Sequence, residues 1–504
     1  MPQHDCIKEI HLAVNDIFQS YLQTQPIENM ASVNWIQELA QECSKEISLS
    51  IFKLWREKLE RMAQELKPCP KCGQPRKFKW RLKEPIRIDV LGFAFELPKP
   101  YLECAHCDAP GLSVLKLLTG LSGGDASLEL ELMTGYCSSQ HSYKKASRDL
   151  KVHYDQQMER TKVRRLALKT EAEALEYAEQ TRQAALRQAS QETKRQGPAV
   201  LLEEADGGKV RTGKMQPCEP GDAGYGKKSP KRGLPRRKRP INFREIITMD
   251  VRQPGEVEAT ALDAMVPVLS PEGERSRRML ALAVRKGLGD NTFIQGLGDM
   301  GSGLATAFEE AFVGYRRHWS ADWKHTRDYV EAASAVLEGI DRTDWSKRMR
   351  AAIWAKDEGR REELLLEAER QRVKNLPKGV AQCPVKTLRT YLKNNWKNMD
   401  FARLEEEGLP IVSARAESQV RDLTKDRFCM AGAWREENLE PKAVLRTIIA
   451  EGRFEDFKRY VIEKYESIFK RRLMERLKNA VAEGRLSQEQ LARVVGQEPQ
   501  RVAA

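Results

Sequence analysis

The clearest pattern of apolar and polar positions lies between Asn291 and His325. A short apolar run, Phe293 to Leu297, predicts a buried strand, and glycines follow it directly. Apolar residues then recur at helical spacing from Leu304 to Tyr315, and a second short strand is predicted to end at Asp322. Asp299, just after the first of these strands, lies where α/β sheets place ligands, or it caps the helix that follows.

Two further strand-like runs precede this region. The apolar run that begins at Ala199 predicts a strand ending near Asp206, where glycines indicate a tight turn. Phe243 to Val251 predicts a second strand, antiparallel to the first, and a helix is expected within residues 268–288. Together these elements predict a mixed sheet in an α/β core.

The chain after His325 is predicted to be helical as far as about Asp400. Gly408 and Pro410 then break the pattern, and a helix that carries Glu417 starts after them. Taken alone, Glu417 has the pattern of a surface glutamate on a helix.

The N-terminal part of the chain is also predicted to be helical. Apolar residues from Ile36 to Leu54 form a stripe that either packs within its own domain or joins two copies as a coiled coil. From Ser127 to Leu168 the pattern predicts three short helices, as in a helix-turn-helix, although any small helical bundle would look similar. The third helix would offer DNA the side chains of Arg160, Lys162, Arg164 and Arg165. Residues 169–197 predict a solvated helix that spaces two domains.

The composition of the chain indicates a class of binding partner. Lys and Arg number 86 against 73 Asp and Glu in 504 residues, a net charge of +13, which favours a polyanionic partner such as nucleic acid. The basic segment within residues 213–240 is a solvated loop or contacts phosphates through Arg236, Arg237, Lys238 and Arg239. Because the sequence has neither a membrane-length apolar run nor a signal-peptide pattern, we expect a cytoplasmic, nucleoid-associated prokaryotic protein.

Two cysteine motifs indicate a metal site. Cys69 and Cys72 form one Cys-x-x-Cys motif, and Cys104 and Cys107 form the second. In a reducing compartment such cysteines indicate metal binding rather than disulfides. Strand-like stretches between the motifs would bring the four thiolates into a closed tetrahedral site for a structural Zn²⁺, with no position open for catalysis. The alternative is four reduced thiols.

Four stretches of the chain resemble DDE transposases of bacterial insertion sequences, specifically the ISKra branch with Mutator-like features. They are the two cysteine motifs, Glu204-Ala-Asp206-Gly, Gly298-Asp299 with Asp322-x-x-His325, and Gly408-Leu-Pro410 leading to Glu417-Ser418. The resemblance covers roughly residues 65–450. One departure is Ser413-Ala-Arg415, where the family commonly has Gly-Ser-Gly.

The resemblance implies an RNase H-like core in which Asp206, Asp299 and Glu417 form the catalytic triad and hold two Mg²⁺ ions. Two such ions activate the attacking oxygen and stabilise the leaving one when DNA is cut and joined. Asp322 and His325 are implied to be auxiliary residues that position DNA or brace the site, with a local Asp–His hydrogen bond as the alternative. We therefore expect a DNA transposase that acts on transposon ends and target DNA as a homodimer or higher oligomer, without a membrane partner.

The expected fold is a multidomain α/β protein in which helical, zinc-ribbon and helix-turn-helix modules precede an RNase H-like mixed sheet core interrupted by a helical insertion. The expected boundaries are 1–67 for the helical N-terminal region, 68–110 for the zinc ribbon, 111–168 for the helix-turn-helix, 169–197 for the helical linker, 198–325 and 405–450 for the core, 326–404 for the insertion and 451–504 for the C-terminal helices. Two other interpretations stay open: a non-catalytic DNA-binding protein derived from a transposase, and a helical scaffold with zinc.

Overall fold

The structure, a computed structural model, describes residues 60–495 except for 91–92, 120–124, 192–194, 229–233, 257–260, 301–302, 372–382 and 430–432, and also residues 50, 53 and 57. The apolar stripe predicted from Ile36 to Leu54 lies outside the described residues. The chain divides into two compact units, of which the first comprises residues 1–134, 144–163 and 459–504 and the second comprises 135–143 and 164–458. Among the described helices, none is long and apolar enough to span a membrane.

The first unit contains a four-stranded sheet in the order β3-β2-β1-β4. Its strands are β1 (Lys77–Val90), β2 (Phe93–Glu103), β3 (Leu112–Ser113) and β4 (Asp125–Ala126). β1 and β2 form a long antiparallel hairpin whose register shifts between Arg81 and Ile86. This hairpin confirms the strands predicted between the two cysteine motifs.

Four helices follow along the chain. They are α1 (Val114–Thr119), α2 (Leu128–Gln140), α3 (Tyr143–Tyr154) and α4 (Arg160–Gln191). The predicted third helix and the predicted linker are one continuous helix, α4. Its later part is not solvated, because Ala174, Ala178 and Ala185 are buried and Ala185 belongs to the core of the second unit. Small alanine side chains let the helix pack closely without the large apolar residues on which the prediction relied.

The second unit is built on a five-stranded mixed sheet in the order β11-β10-β5-β8-β9. The strands of this unit are β5 (Val200–Thr212), β6 (Gln216–Pro217), β7 (Arg237–Lys238), β8 (Asn242–Arg252), β9 (Ala261–Met265), β10 (Phe293–Gly298) and β11 (Arg316–Ala321). β5, β8 and β9 are antiparallel neighbours, whereas β10 runs parallel to both β5 and β11. β6 and β7 form a separate ribbon within the basic segment.

The turn predicted after Asp206 is wrong. β5 continues through Gly207 and Gly208, paired with β8, as far as Thr212. Glycine inside a strand often marks the close approach of another element. Here a Cβ on Gly208 would lie 2.8 Å from Thr424 Cγ2, so the glycine lets a later helical turn lie directly on the strand.

Helices cover the sheet and fill the long interval between β11 and the end of the unit. They are α5 (Glu274–Arg285), α6 (Leu304–Ala311), α7 (Trp323–Ser334), α8 (Arg342–Trp354), α9 (Glu358–Glu369), α10 (Pro384–Asn395), α11 (Phe401–Glu406), α12 (Ala414–Gln419), α13 (Asp426–Phe428) and α14 (Leu439–Ala450). A π-helical turn, Val420–Lys425, joins α12 to α13. Leu282 of α5 and Phe308 of α6 pack in the sheet's main core with Trp319.

Helices α7 to α11 have a core of their own. Trp345 is fully buried in it, and its indole N–H donates to Leu364 O at 3.0 Å. Trp354 and Trp396 pack against the same core. The tryptophans of the predicted insertion therefore stabilise this helical cluster.

The described chain ends with α15 (Phe454–Ala482) and α16 (Gln488–Val495). In the first unit, Leu477 and Leu486 share a core with Leu66 and Leu102. The side-chain amide of Gln490 donates to Leu66 O at 3.2 Å and to Pro68 O at 2.8 Å. The last helices thus complete the core of the unit that contains the cysteine motifs.

Candidate active site and candidate metal centre

A cleft of about 760 Å³ opens beside β5, at the level where β10 ends. It brings together acidic and basic side chains from four separate segments of the chain. The lining residues are Asp206, Gly207, Asp299, Lys324, His325, Ala414, Glu417, Ser418, Arg421 and Lys425. The three acids that the sequence singled out, together with His325, therefore face the same space.

Parallel pairing of β5 with β10 places the first two acids side by side. Gly298 pairs with Ala205, so Asp299 leaves β10 next to Asp206 on β5. A Cβ on Gly298 would lie 2.4 Å from Ala205 O, and only glycine permits this approach. The alternative that Asp299 caps α6 does not hold, because the N-cap residue of α6 is Gly303.

The pKa of Asp206 is raised. Burial is the largest cause, and the nearby charge of Asp299 raises it further, whereas the backbone N–H of Gly207, at 2.7 Å, and the charges of His325 and Lys425 lower it. Two carboxylates that repel each other in a half-buried site favour either a proton or a cation. This pair therefore has the electrostatic character of a cation site.

Glu417 lies on α12 and is held by a lysine. Lys324 Nζ contacts both carboxylate oxygens, with 2.6 Å to Oε2. His325 Nε2 lies 3.8 Å from Oε1 of the same group. The hydrogen bond to Glu417 raises the pKa of Lys324, so the lysine carries its charge.

The three acids face one cleft without meeting at the spacing of a single closed ion site. Among the described residues, the one group of three or more potential ligands whose ligand atoms all lie within 4.8 Å of one another is formed by the four cysteines. In the arrangement seen here, Lys324 supplies the positive charge next to Glu417.

Asp322, the predicted auxiliary acid, is fully buried and forms backbone contacts. Oδ1 accepts from the backbone N–H of His325 at 2.9 Å and so caps α7. Oδ2 accepts from the backbone N–H of Ser413 at 2.6 Å and from its hydroxyl. Asp322 thus ties the start of α7 to the segment that leads into the helix of Glu417, while His325 alone of the two predicted auxiliary residues lines the cleft.

Sequence reasoning missed three cations of the cleft: Lys324, Arg421 and Lys425. Lys324 lies inside the Asp-x-x-His stretch, which could have drawn attention to it. Arg421 and Lys425 lie on the π-helical turn, whose backbone no sequence pattern had indicated. Such turns are rare in proteins, and those that occur are often found at functional sites. Arg446 supports this turn from behind, since its guanidinium donates to Leu423 O at 2.9 Å.

The basic residues predicted to bind DNA lie outside the cleft. Arg160, Arg164 and Arg165 are exposed on α4. Lys162 is half-buried and forms an ion pair with the buried carboxylate of Asp89. The three arginines are therefore accessible to a ligand, and Lys162 stabilises its own unit.

The second predicted basic group lies on the β6–β7 ribbon. Arg236, Arg237 and Arg239 are exposed. Lys238 instead pairs with Asp222 at 2.8 Å and with Glu219 at 3.3 Å. The ribbon therefore presents three arginines around a neutralised lysine.

The four cysteines of the first unit cluster as a metal site requires. Sulfur atoms lie 3.6 Å apart in the pairs Cys69–Cys107, Cys72–Cys104 and Cys104–Cys107. Tetrahedral zinc with Zn–S bonds of about 2.3 Å places its sulfurs about 3.8 Å apart, so the cluster fits the ion. Burial opposes ionisation of Cys69, but backbone N–H groups of Cys72 and Lys71 lower its pKa to about 6. The predicted structural zinc site is supported by this arrangement.

Comparison with known proteins gives little further guidance. No protein-family model matches the chain, and no curated protein matches its sequence. Among solved structures, the chain is similar to the Drosophila P element transposase strand transfer complex, at 9% sequence identity and a TM-score of 0.29, over 66% of this chain and 94% of that one. A score this low does not establish a common fold, so a function has to be drawn from the cleft and its surroundings.

Proposed function

We propose that this protein is a DDE-type DNA transposase that binds transposon ends and catalyses metal-dependent DNA cleavage and strand transfer. One observation carries the proposal: Asp206, Asp299 and Glu417, far apart in the sequence, line a single cleft together with four basic side chains. Acids alone would suggest a cation site. Acids with basic side chains beside them suit a reaction at a phosphodiester.

The sheet supports the same proposal. Its first three strands are antiparallel and the next two are parallel, as expected of the RNase H-like core that the sequence resemblance implied. Asp206 lies on β5 and Asp299 directly follows the adjacent strand β10, while the chain brings Glu417 back to them after the helical cluster of α7 to α11. Two adjacent strands and a later helix thus bring the three acids to one cleft.

The donor set of the cleft fits Mg²⁺, which prefers oxygen ligands and keeps several waters. Asp206 and Asp299 would hold one ion and Asp206 and Glu417 the other. Bound there, the ions would supply activation of an attacking oxygen and stabilisation of a leaving one. The raised pKa of Asp206 is consistent with this role, because a cation removes the repulsion from Asp299.

The chain's own cations have a separate task. Lys324, Arg421 and Lys425 face the cleft and can bind the backbone phosphates of a DNA strand laid across it. Arg421 is largely exposed, and its guanidinium is oriented by the Ser418 hydroxyl at 3.0 Å. Outside the cleft, the arginines of α4 and of the β6–β7 ribbon are proposed to bind DNA phosphates away from the cut. Since such contacts release counterions, affinity should fall steeply with salt.

The test is cleavage of duplexes taken from the flanks of the coding region, with and without Mg²⁺. Asp206→Asn, Asp299→Asn and Glu417→Gln should each lower the cleavage rate by about 10²- to 10³-fold or more, as when a stabiliser of transition-state charge is removed. Binding of the same DNA should persist, because the basic surface is unchanged. Asp290→Asn is the matched control, since Asp290 is exposed and precedes β10 at the end opposite to Asp299.

The second candidate is a non-catalytic DNA-binding protein derived from a transposase. The ion pair between Lys324 and Glu417 favours it. The lysine contacts both carboxylate oxygens of Glu417 and so occupies the place that a metal ion would take. That protein would bind the flanking DNA in a salt-sensitive way and never cut it, whatever the divalent ion. Absence of cleavage in the wild type, together with retained binding, would therefore decide for this candidate.

A further inference from the structure

The chain that brings Glu417 to the cleft is fixed to the sheet by a series of hydrogen bonds. Gln295 of β10 donates to Pro410 O at 2.8 Å, and the backbone N–H of Trp323 donates to Ile411 O at 2.8 Å. Asp322 then accepts from Ser413, as described above. These contacts guide the return of the chain up to the residue before α12.

The last contact in the series comes from Glu204, a buried acid that the triad does not include. Glu204 Oε2 accepts from the backbone N–H of Ala416 at 2.9 Å, and Oε1 pairs with Arg252. Arg252 in turn donates to Asp250 at 2.9 Å. Only 1% of Glu204 is exposed, so its carboxylate is shielded from water and is satisfied by these partners.

We propose that Glu204 is a positioning residue that sets the place of Glu417 relative to Asp206, a statement that rests on the function proposed above. Glu204 and Asp206 are two residues apart on β5, so both side chains project from the same face of the sheet. Ala416 directly precedes Glu417. One carboxylate therefore connects the strand of the first acid to the backbone beside the third.

The start of α12 shows why such a contact matters. The helical stretch that α12 opens continues through the π-helical turn into α13, and the hydroxyl of its N-cap residue Ser413 accepts no capping hydrogen bond from it within the described chain. The N–H of Ala416 belongs to the first turn, where helices lack internal acceptors. Glu204, on β5, is the acceptor for this N–H, and the hydrogen bond fixes the orientation of the helix relative to the sheet.

Glu204→Ala removes the acceptor of the Ala416 N–H and leaves Arg252 with Asp250 but without Glu204. We expect the affinity for divalent metal and the cleavage rate to fall by about 10- to 100-fold, the usual effect of losing a group that orients a metal ligand. DNA affinity should stay unchanged, because the cations of the cleft are retained. Glu204→Gln keeps an oxygen that can accept from Ala416, so it should recover part of the loss.

Glu203 offers a matched control one residue away. It is fully buried on the opposite face of β5, and neither of its oxygens has a hydrogen-bond partner among the described residues. Glu203→Gln removes a carboxylate from the same strand without touching α12. It should leave metal affinity and cleavage within the error of the wild type.

The experiment measures three quantities on the full chain: Mn²⁺ binding by the protein alone, cleavage, and amide hydrogen exchange over residues 413–419. Faster exchange and weaker Mn²⁺ binding in Glu204→Ala, with partial recovery in Glu204→Gln, would support the inference. Wild-type exchange and Mn²⁺ affinity in Glu204→Ala, or equal damage in Glu203→Gln, would overturn it. If Glu204→Ala fails to fold, the same comparison is made between the two Gln variants.

Hydrogen exchange keeps this inference separate from the proposed function. A wild type that neither cleaves DNA nor binds Mn²⁺ would refute the transposase. Faster exchange in Glu204→Ala alone would still show that Glu204 orients the helix of Glu417, and unchanged exchange would refute that role whatever the activity.

Discussion

Replacing Glu203 by Gln is expected to stabilise the protein, and the gain should grow as the pH rises. Burial raises the pKa of Glu203 well above its ordinary value of 4.5, and the charge of Asp250 raises it further. With no hydrogen-bond partner for either oxygen among the described residues, an ionised Glu203 would be a buried charge without compensation. The folded protein therefore keeps this proton at pH values where the unfolded chain has released it.

Proton linkage gives the sign and the size of the effect. Below pH 4.5 both states carry the proton, and the group does not change stability with pH. Above it, each pH unit up to the folded pKa favours the unfolded state by about 1.4 kcal/mol. Gln has no proton to lose, so the free energy of unfolding of Glu203→Gln should exceed that of the wild type by an amount that grows at this rate. The gap in melting temperature should widen by about 2–4 °C per pH unit.

Scanning calorimetry of both proteins between pH 4 and pH 8 measures this gap. Asp290→Asn, which changes an exposed acid, should show no such widening. Asp250, whose pKa burial and the charge of Glu204 raise to about 7, is present in all three proteins and cancels from the comparison. A gap that is constant with pH, or a Gln variant less stable than the wild type, would mean that Glu203 is ionised in the fold and that the argument from burial is wrong.

Two further predictions concern the zinc site and the π-helical turn. Cys72→Ser, or removal of metal by a chelator, should lower the melting temperature of the first unit, and less than half an equivalent of zinc in intact wild-type protein would contradict the site. Gly208→Ala should slow cleavage and also weaken DNA binding, because the new Cβ would lie 2.8 Å from Thr424 Cγ2 and displace the turn that carries Arg421 and Lys425, two cations proposed to bind DNA phosphates. Gly359→Ala is its control, since that Cβ meets no atom closer than 3.6 Å, and equal cleavage by both variants would refute the reasoning.

The strands that form the cleft could be predicted because their sequence signals are local. The apolar run before Asp299 and the stretch from Phe243, rich in β-branched residues, are short, and both are strands in the structure. The predicted turn after Asp206 failed for a physical reason. Paired glycines after an apolar run favour a break in the chain, whereas here the lack of side chains on Gly207 and Gly208 lets a helical turn pack on a continuous strand.

Features that depend on distant partners could not be predicted in this way. The buried pair of Glu171 and Lys442 fixes α4 to α14, although both residues look like ordinary surface charges in the sequence. The contact of Gln490 with Leu66 joins opposite ends of the chain. Glu204 had one visible signal, an acid within an apolar strand, but its acceptor role depends on Ala416, which only the fold brings near.

The contacts of Glu417 differ in strength, and this difference bears on how the cleft would work. The pair with Lys324 is partly exposed, and exposed ion pairs contribute only about 0–1 kcal/mol. A DNA phosphate entering the cleft offers Lys324 another anion at small cost, which would release Glu417. The hydrogen bonds that Asp322 accepts from Ser413 and that Glu204 accepts from Ala416 are buried and charge-assisted, and bonds to charged groups contribute about 1.5–3 kcal/mol. Once Lys324 has moved, the backbone beside Glu417 would therefore stay in place, and DNA binding would free the carboxylate without displacing it from the cleft.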